Sequence, residues 1–187
     1  MRHLGHMRQR LDDTHLGFVL GAGVSEQAHV PMWGELIQRL YCHYGTDGPP
    51  DSYKKNTQPA TLVAQFIFNR FFRQQKQQDH LKGFNKPHIV QIAIKNEWYK
   101  HIHEAIYRDV QSLQVVREEH PYLVELARLV YSSAFCLTLN FDDILDRIAQ
   151  EAHIPGLDRQ KPNVIWKPPI ADRPNACVIY HVNGFLP

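Results

Sequence analysis

The chain contains little cysteine and no long apolar run, and these two absences exclude several classes of protein. Its 187 residues include three cysteines, an odd number, and no C-x-x-C pair. Neither a disulfide framework nor a cysteine zinc site is therefore expected. Cys136 and Cys177 lie in apolar runs, where we expect buried, unreactive thiols. No apolar stretch is long enough for a signal peptide or a membrane span, so we expect a cytoplasmic protein that does not bind membranes.

The chain also carries little net charge. It has 21 Lys and Arg against 19 Asp and Glu, a formal net charge of +2 with neutral histidines. This is too small to indicate nucleic acid as a partner. The 12 histidines are scattered, and His101 and His103 are two residues apart, which does not place them on one helix face. No metal site is expected, and the length suits one domain spanning 1–187.

A short glycine motif is the strongest signal in the chain. The apolar run 16–20 ends at Gly21-Ala-Gly-Val-Ser25, a pattern typical of a strand, a tight turn and a helix start that binds phosphate. The third glycine of the G-x-G-x-x-G fingerprint is absent, because Glu26 occupies its position. Gly21 and Gly23 are candidates for contact with a pyrophosphate, and a plain glycine turn is the alternative.

Strand-like and helix-like segments alternate along the chain, which predicts the α/β class. Continuous apolar runs predict strands at 16–20, 134–138 and 177–182, as in a buried parallel sheet. Helical spacing of apolar residues marks 33–44, 61–75, 89–113, 120–131 and 144–152. The five prolines of 155–175 predict a loop.

Each predicted strand ends in a polar or glycine-containing segment. These segments are Gly21-Ala-Gly-Val-Ser25, Asn140-Phe-Asp-Asp143 and His181-Val-Asn-Gly184. Ligands of open α/β sheets bind beyond the carboxyl ends of the strands, so the three segments together predict a ligand site. Taken singly, they are also explained by a turn, a helix N-cap at Asp142 or Asp143, and a hairpin glycine.

In this order, the segments resemble those of sirtuins and sirtuin-like domains. Gly21-Ala-Gly-Val-Ser25 followed by Val30-Pro31 resembles the family's opening, and Thr138-Leu-Asn-Phe-Asp142 resembles its T-x-N-x-D motif. Asn183-Gly184 falls where the family carries its catalytic His-Gly. The segment Pro31-Met-Trp33-x-x-Leu36 is closer to bacterial antiphage sirtuin-like NAD hydrolases, such as the Thoeris effector, than to deacetylases.

The resemblance implies a Rossmann-like parallel sheet with helices on both faces and a helical insertion at about 45–115. It implies a hydrolase that cleaves NAD to nicotinamide and ADP-ribose in antiphage defence; the alternative is a sensor that binds NAD or ADP-ribose without hydrolysis. Deacylation is not expected, because three cysteines cannot build the four-cysteine zinc module of sirtuin deacetylases. Further strands follow in the family, so we expect an incomplete C-terminus, with a further C-terminal domain or a homo-oligomer.

The resemblance also implies roles for individual residues. Asn140 would orient the ribose and the attacking water, while Asn183 stands at the position of the catalytic base, a role that asparagine cannot perform. Three interpretations are open: His181, two residues earlier on the same strand face, replaces the base; the site is weak; or Asn183 is an engineered change. The residues expected to contact NAD are Gly21, Ala22, Gly23, Val24, Ser25, Pro31, Trp33, Asp142 and Gly184. Structural alternatives are helix caps for Ser25 and Asp142, a core position for Trp33 and a strand histidine for His181.

Overall fold

The computed structural model describes residues 2–13, 16–44, 59–78, 86–151, 160–165 and 176–183. The chain divides into two compact units. Unit 1 consists of Met1–Val30 and Val110–Pro187, and unit 2 consists of Pro31–Asp109. Unit 2 covers most of the segment predicted as an insertion at 45–115, but it begins earlier in the chain.

Unit 1 contains a four-stranded sheet in which all neighbouring strands are parallel, with the order β1-β2-β4-β3. The strands are β1 (Gly17–Leu20), β2 (Phe135–Thr138), β3 (Gln160–Ile165) and β4 (Ala176–His181). The expected α/β class with a parallel, Rossmann-like sheet is confirmed.

The prediction of a loop throughout 155–175 was wrong, because β3 lies inside it. This strand contains Pro162 and occupies the edge of the sheet. Its pairing with β4 is irregular between Gln160 and Asn163. Proline has no N–H to donate to a neighbouring strand, so it is tolerated only at sheet edges and at irregular pairings. β3 meets both conditions, and the proline content of this segment therefore did not exclude a strand.

Helices account for most of the remaining described residues. They are α1 (Arg2–Asp12), α2 (Trp33–Tyr44), α3 (Ala60–Lys76), α4 (Pro87–Tyr107), α5 (Leu113–Glu119), α6 (Pro121–Ser132) and α7 (Ile144–Glu151). Helices α1, α5, α6 and α7 belong to unit 1, and α2, α3 and α4 belong to unit 2. Among the described helices, none is both long and apolar enough to cross a membrane.

The buried face of the sheet lies beneath α6 and α7. These helices pack on each other, α6 against β4 and α7 against β3. The β1–β2 and β2–β3 connections cross the sheet in the same direction, so right-handed crossovers place both helices on one face. Cys136, Ile179 and Cys177 are buried, as expected for the two thiols, and burial raises the pKa of Cys136 to about 12. Alternate positions, such as Val19 and Phe135, are exposed.

The described residues of unit 2 form three helices that pack pairwise. Aromatic rings fill part of its interior: the ring centroids of Phe71 and Trp98 are 5.2 Å apart. The buried Arg39 guanidinium binds the carboxylates of Glu35 and Asp109, each at 2.7 Å, and donates to the Ala105 carbonyl at 2.8 Å. These bonds satisfy the buried charge, and they also link the helix start at Glu35 to the residues that end unit 2.

Candidate functional site

The candidate site lies at the carboxyl ends of three adjacent strands, β1, β2 and β4. Hydrogen bonds continue the pairing beyond these strands: the Leu139 amide donates to the Leu20 carbonyl at 2.9 Å, and the Val182 amide donates to the Thr138 carbonyl at 3.0 Å. The segments that follow the strands are therefore held side by side. This brings together the polar residues Ser25, Asn140, Asp142 and His181, all of which are buried.

The glycine segment after β1 forms two short 3-10 turns, Ala22–Val24 and Glu26–Ala28, and not the predicted helix start. His29 ends the second turn with φ at 65°, a left-handed conformation. The next residues are Val30 and Pro31, and proline disfavours helix in the residue before it. The helix that was expected to face a phosphate is therefore replaced by a compact turn, whose backbone amides are the donors that this segment offers to an anion.

Neither steric crowding by the described residues nor backbone conformation requires glycine at position 21 or 23. A Cβ on Gly21 or Gly23 would meet no described atom within 4 Å, and neither residue has a positive φ. At Gly17, in contrast, a Cβ would clash with the Phe135 ring. The turn thus leaves open space directly beside its backbone, where a ligand group can approach without meeting a side chain.

Ser25 connects the turn to the segment after β2. The Asn140 Nδ2 donates to the Ser25 Oγ at 3.3 Å, and this hydroxyl donates to the Asp142 Oδ1 at 3.0 Å. The same Oδ1 accepts the Ile144 amide at 3.2 Å, which satisfies a free N–H at the start of α7. Asp143 occupies the N-cap position, since its carbonyl accepts the Arg147 amide at 2.9 Å. Asp143 thus occupies the N-cap position through its backbone, while the Asp142 side chain accepts a hydrogen bond from the first turn of the helix.

Burial raises the pKa of Asp142 from 3.8 to about 6. The hydrogen bonds from Ser25 and Ile144 act in the opposite direction, and the charges of Asp146 and Asp143 raise the pKa further. The carboxyl group is therefore ionised at neutral pH and takes up a proton in mildly acidic solution. A buried negative charge at this edge of the sheet is suited to stabilise a positive charge that develops on a ligand.

Tyr122, in the first turn of α6, contacts the glycine turn, although the sequence carries no signal for this role. Its hydroxyl donates to the Val24 carbonyl at 2.8 Å. Burial and the charge of Asp142 raise the pKa of Tyr122, so the phenol remains protonated and keeps this bond. Tyr122 thus fixes the turn from the side of α6.

Asn140 is held at three points and has one atom without a partner. Its amide donates to the Thr138 Oγ1 at 3.1 Å, its carbonyl oxygen accepts from the His181 Nδ1 at 3.1 Å, and its Nδ2 donates to Ser25. The Oδ1 is buried and has no hydrogen-bond partner among the described residues. An unpaired buried acceptor costs about 1–3 kcal/mol, so a ligand donor at this position would recover free energy.

His181 lies at the end of β4, buried, with a bond at each ring nitrogen. Nδ1 faces the Asn140 carbonyl, and Nε2 lies 3.0 Å from the Asp146 Oδ2. Burial lowers the pKa of His181, but the Asp146 carboxylate and the Asn140 carbonyl outweigh burial and raise the pKa above its ordinary value. Because both nitrogens are engaged inside the protein, this geometry favours a structural histidine over a base that takes a proton from a ligand. The sequence did not single out Asp146.

The remaining predicted site residues are more peripheral. The Asn183 side chain is exposed, and its Nδ2 donates to the Leu139 carbonyl at 3.1 Å. Gly184 lies outside the described residues. Pro31 and Trp33 belong to unit 2, so their contact with NAD stays a prediction. Among the residues that the structure describes, no group of three or more His, Cys, Asp or Glu side chains is placed to hold a metal ion.

Comparison with known proteins adds no assignment: the sequence matches no protein-family model and no curated protein.

Proposed function

We propose that this chain binds NAD at the carboxyl ends of β1, β2 and β4 and hydrolyses the bond between nicotinamide and ribose. The observation that carries the proposal is Asn140, a buried side chain whose Oδ1 has no partner among the described residues. A carbonyl oxygen accepts hydrogen bonds, and ribose hydroxyls donate them. Asn140 would orient the nicotinamide ribose through this atom.

The glycine turn supports the proposed binding of the NAD pyrophosphate. The first amide bonded within the turn is that of Val24, which donates to the Gly21 carbonyl at 3.1 Å. The amides of Ala22 and Gly23 precede it, and among the residues that the structure describes they have no acceptor inside the turn. Together with the open space beside the two glycines, they offer donors to a pyrophosphate at close range.

The reaction requires few proton transfers within the protein. The glycosidic bond breaks with its electron pair moving to the nicotinamide, which leaves as a neutral molecule, while positive charge develops on the ribose. The buried Asp142 carboxylate would stabilise that charge, and a water then adds to the ribose carbon and releases a proton to solvent. The products are nicotinamide and ADP-ribose.

A second function, binding of NAD or ADP-ribose without turnover, is favoured by a specific observation. Both ring nitrogens of His181 are bonded internally, and the residue at the expected base position is Asn183, whose amide donates to Leu139. General-base catalysis typically contributes ~100- to 10,000-fold to a rate, and neither side chain is suited to supply it. A sensor would retain the ligand contacts and lack the turnover.

Turnover and binding are measured separately to distinguish the two functions. Nicotinamide release from NAD would be followed by chromatography, and the affinity for NAD and ADP-ribose by calorimetry. We expect Asn140→Ala to lower kcat more than affinity, because its contact matters most in the transition state. Glu151→Gln, which changes an exposed ion pair with Arg117, is the control. Binding without nicotinamide release supports the sensor, and absence of binding by the wild-type chain rejects both functions.

The proposed biological setting is bacterial antiphage defence, in which NAD loss stops the infected cell. This part of the proposal is supported only by the resemblance of Pro31-Met-Trp33 and the neighbouring motifs to antiphage NAD hydrolases. Cells that express the chain would be challenged with phage while cellular NAD is measured. Protection and NAD loss that both disappear with Asn140→Ala would support the setting; protection without NAD loss would contradict it.

A further inference from the structure

We infer that Asp146 and His181 form a buried pair that positions Asn140, and that Asp146 is therefore a positioning residue of the site. The inference rests on the proposed function, since it takes Asn140 as the group that contacts the ligand. It concerns a residue on α7, the helix that follows the segment after β2.

Three hydrogen-bonded groups link α7, β4 and the segment after β2. The Asp146 Oδ2 lies 3.0 Å from the His181 Nε2, and the His181 Nδ1 lies 3.1 Å from the Asn140 carbonyl oxygen. The side chains of His181 and Asp146 are 1% and 5% exposed, so the pair is sealed from solvent. A displacement of Asp146 would thus be transmitted to the backbone of Asn140.

The protonation of the ring follows from its partners. A carbonyl oxygen only accepts hydrogen bonds, so the His181 Nδ1 must carry a proton. Nε2 shares a second proton with the Asp146 carboxylate, and this fixes the orientation of the ring. Rotation of the imidazole would break both bonds, so the ring acts as a rigid spacer between α7 and Asn140.

A buried charged pair is often no more stabilising than apolar side chains in a protein core. Apolar residues of similar volume are often as stabilising or more so, since the charges lose their hydration. An apolar pair could not donate a hydrogen bond to the Asn140 carbonyl. The pair thus provides what packing alone does not, an anchor at the backbone of Asn140 that complements the Ser25 contact at its side chain.

The groups that face His181 include other ionisable side chains. Asp142, before α7, contributes to the raised pKa of His181 together with Asp146, and the buried Cys136 lies on the neighbouring β2. A test that relied on pH alone would combine the titrations of these groups. The pair is therefore better tested by substitutions at Asp146 that differ in their ability to bond Nε2.

Two substitutions separate positioning from simple burial. Asp146→Leu removes the partner of Nε2, whereas Asp146→Asn can donate its Nδ2–H to Nε2 and keep the Nδ1 proton towards Asn140. We expect Asp146→Leu to lower kcat for NAD cleavage about 10- to 100-fold with little change in KM, and Asp146→Asn to restore most of the rate. Glu151→Gln, at the other end of the same helix, is the control and should leave kcat unchanged.

The decisive experiment is the double variant that combines Asp146→Leu with Asn140→Ala. If Asp146 acts through Asn140, Asp146→Leu will have little further effect on kcat in that background. Full additivity of the two substitutions, or wild-type kcat in Asp146→Leu, would overturn the inference. If the chain binds without turnover, the same cycle is measured with the affinity for ADP-ribose.

A spectroscopic arm tests the pair without any ligand. In the chain labelled with 15N-histidine, we expect a slowly exchanging His181 Nδ1 proton in the wild type and in Asp146→Asn. We expect faster exchange of this proton in Asp146→Leu, because the ring then lacks the bond at Nε2 that fixes its orientation. The loss of NAD and ADP-ribose binding in all proteins would reject the proposed function, while this signal would still report whether the pair exists. Rapid exchange of the proton in the wild-type chain would overturn the pair itself.

Discussion

Replacing Asp142 with asparagine should stabilise the fold at neutral pH. Burial raises the pKa of this carboxyl from 3.8 to about 6, so the folded state resists the ionisation that the unfolded chain undergoes freely. The difference between these two values, at roughly 1.36 kcal/mol per pH unit, corresponds to about 3 kcal/mol. This is a large part of the stability of a typical domain.

The sign of the effect follows from the protons bound. Between pH 3.8 and about 6 the folded chain holds a proton at Asp142 that the unfolded chain has released, so stability falls as pH rises through this range. Below pH 3.8 both states are protonated and the contribution is fully present. Asparagine does not ionise, and its Oδ1 can still accept from the Ser25 hydroxyl and the Ile144 amide.

The assay is urea unfolding of both proteins, followed by circular dichroism across this pH range and up to pH 8. The free energy of unfolding of Asp142→Asn should exceed that of the wild type by up to about 3 kcal/mol at pH 7, and the excess should vanish near pH 3.8. His181 titrates in both proteins, and the part of its raised pKa that is due to Asp146 and Asn140 cancels, whereas the smaller part due to Asp142 does not. Asp143→Asn removes the neighbouring charge and should give a smaller excess. A difference between Asp142→Asn and wild type that is constant with pH would refute the argument from burial.

Three further predictions concern the glycine turn, the base position and the buried pair. Gly23→Val should fold normally, because a Cβ there meets no described atom within 4 Å, and should weaken NAD and ADP-ribose binding; unchanged affinity by calorimetry would contradict the phosphate role of the turn. Asn183→His should raise the rate of NAD cleavage by up to ~100- to 10,000-fold if the missing base limits the rate, with little gain in affinity. An unchanged rate of nicotinamide release would show that a base at position 183 does not limit the rate. His181→Leu should destabilise the fold by about 3–5 kcal/mol, because it leaves Asp146 buried without its partner. Adding Asp146→Leu to His181→Leu should recover part of the lost free energy of unfolding, as measured by urea unfolding. If the destabilisations of the two substitutions add up, the pairing of Asp146 with His181 is contradicted.

The strands of the site were predictable from the sequence because the signals are local. Continuous apolar runs identified β1, β2 and β4, and the carboxyl ends of parallel strands share one edge of a sheet, which predicts that Ser25, Asn140 and His181 lie close together. The strand β3 is not predictable in this way, because proline favours a loop and the edge position at which a strand tolerates proline depends on the whole sheet.

The contacts within the site were less predictable because they depend on tertiary structure. The glycine segment has the sequence of a helix start, but its 3-10 turns end at His29 and a proline follows two residues later. Asp146 lies on an ordinary helical position, and only the approach of α7 to β4 makes it the partner of His181. The same is true of Tyr122, whose contact with Val24 joins residues 98 positions apart.

Under the proposed function, these contacts would hold the ligand in a fixed geometry, with little means to move protons. Asn140 is fixed through its amide, its carbonyl and its Nδ2, and its remaining acceptor is buried and unpaired among the described residues. The histidine beside it is committed to internal bonds, so its contribution is orientation. Cleavage of NAD tolerates such a site because the departing nicotinamide needs no proton, and the carboxylate of Asp142 can act by charge alone. Under the proposed function, catalysis would then depend on how rigidly Asn140 is held, and Asp146 and Ser25 would contribute to the rate by holding it.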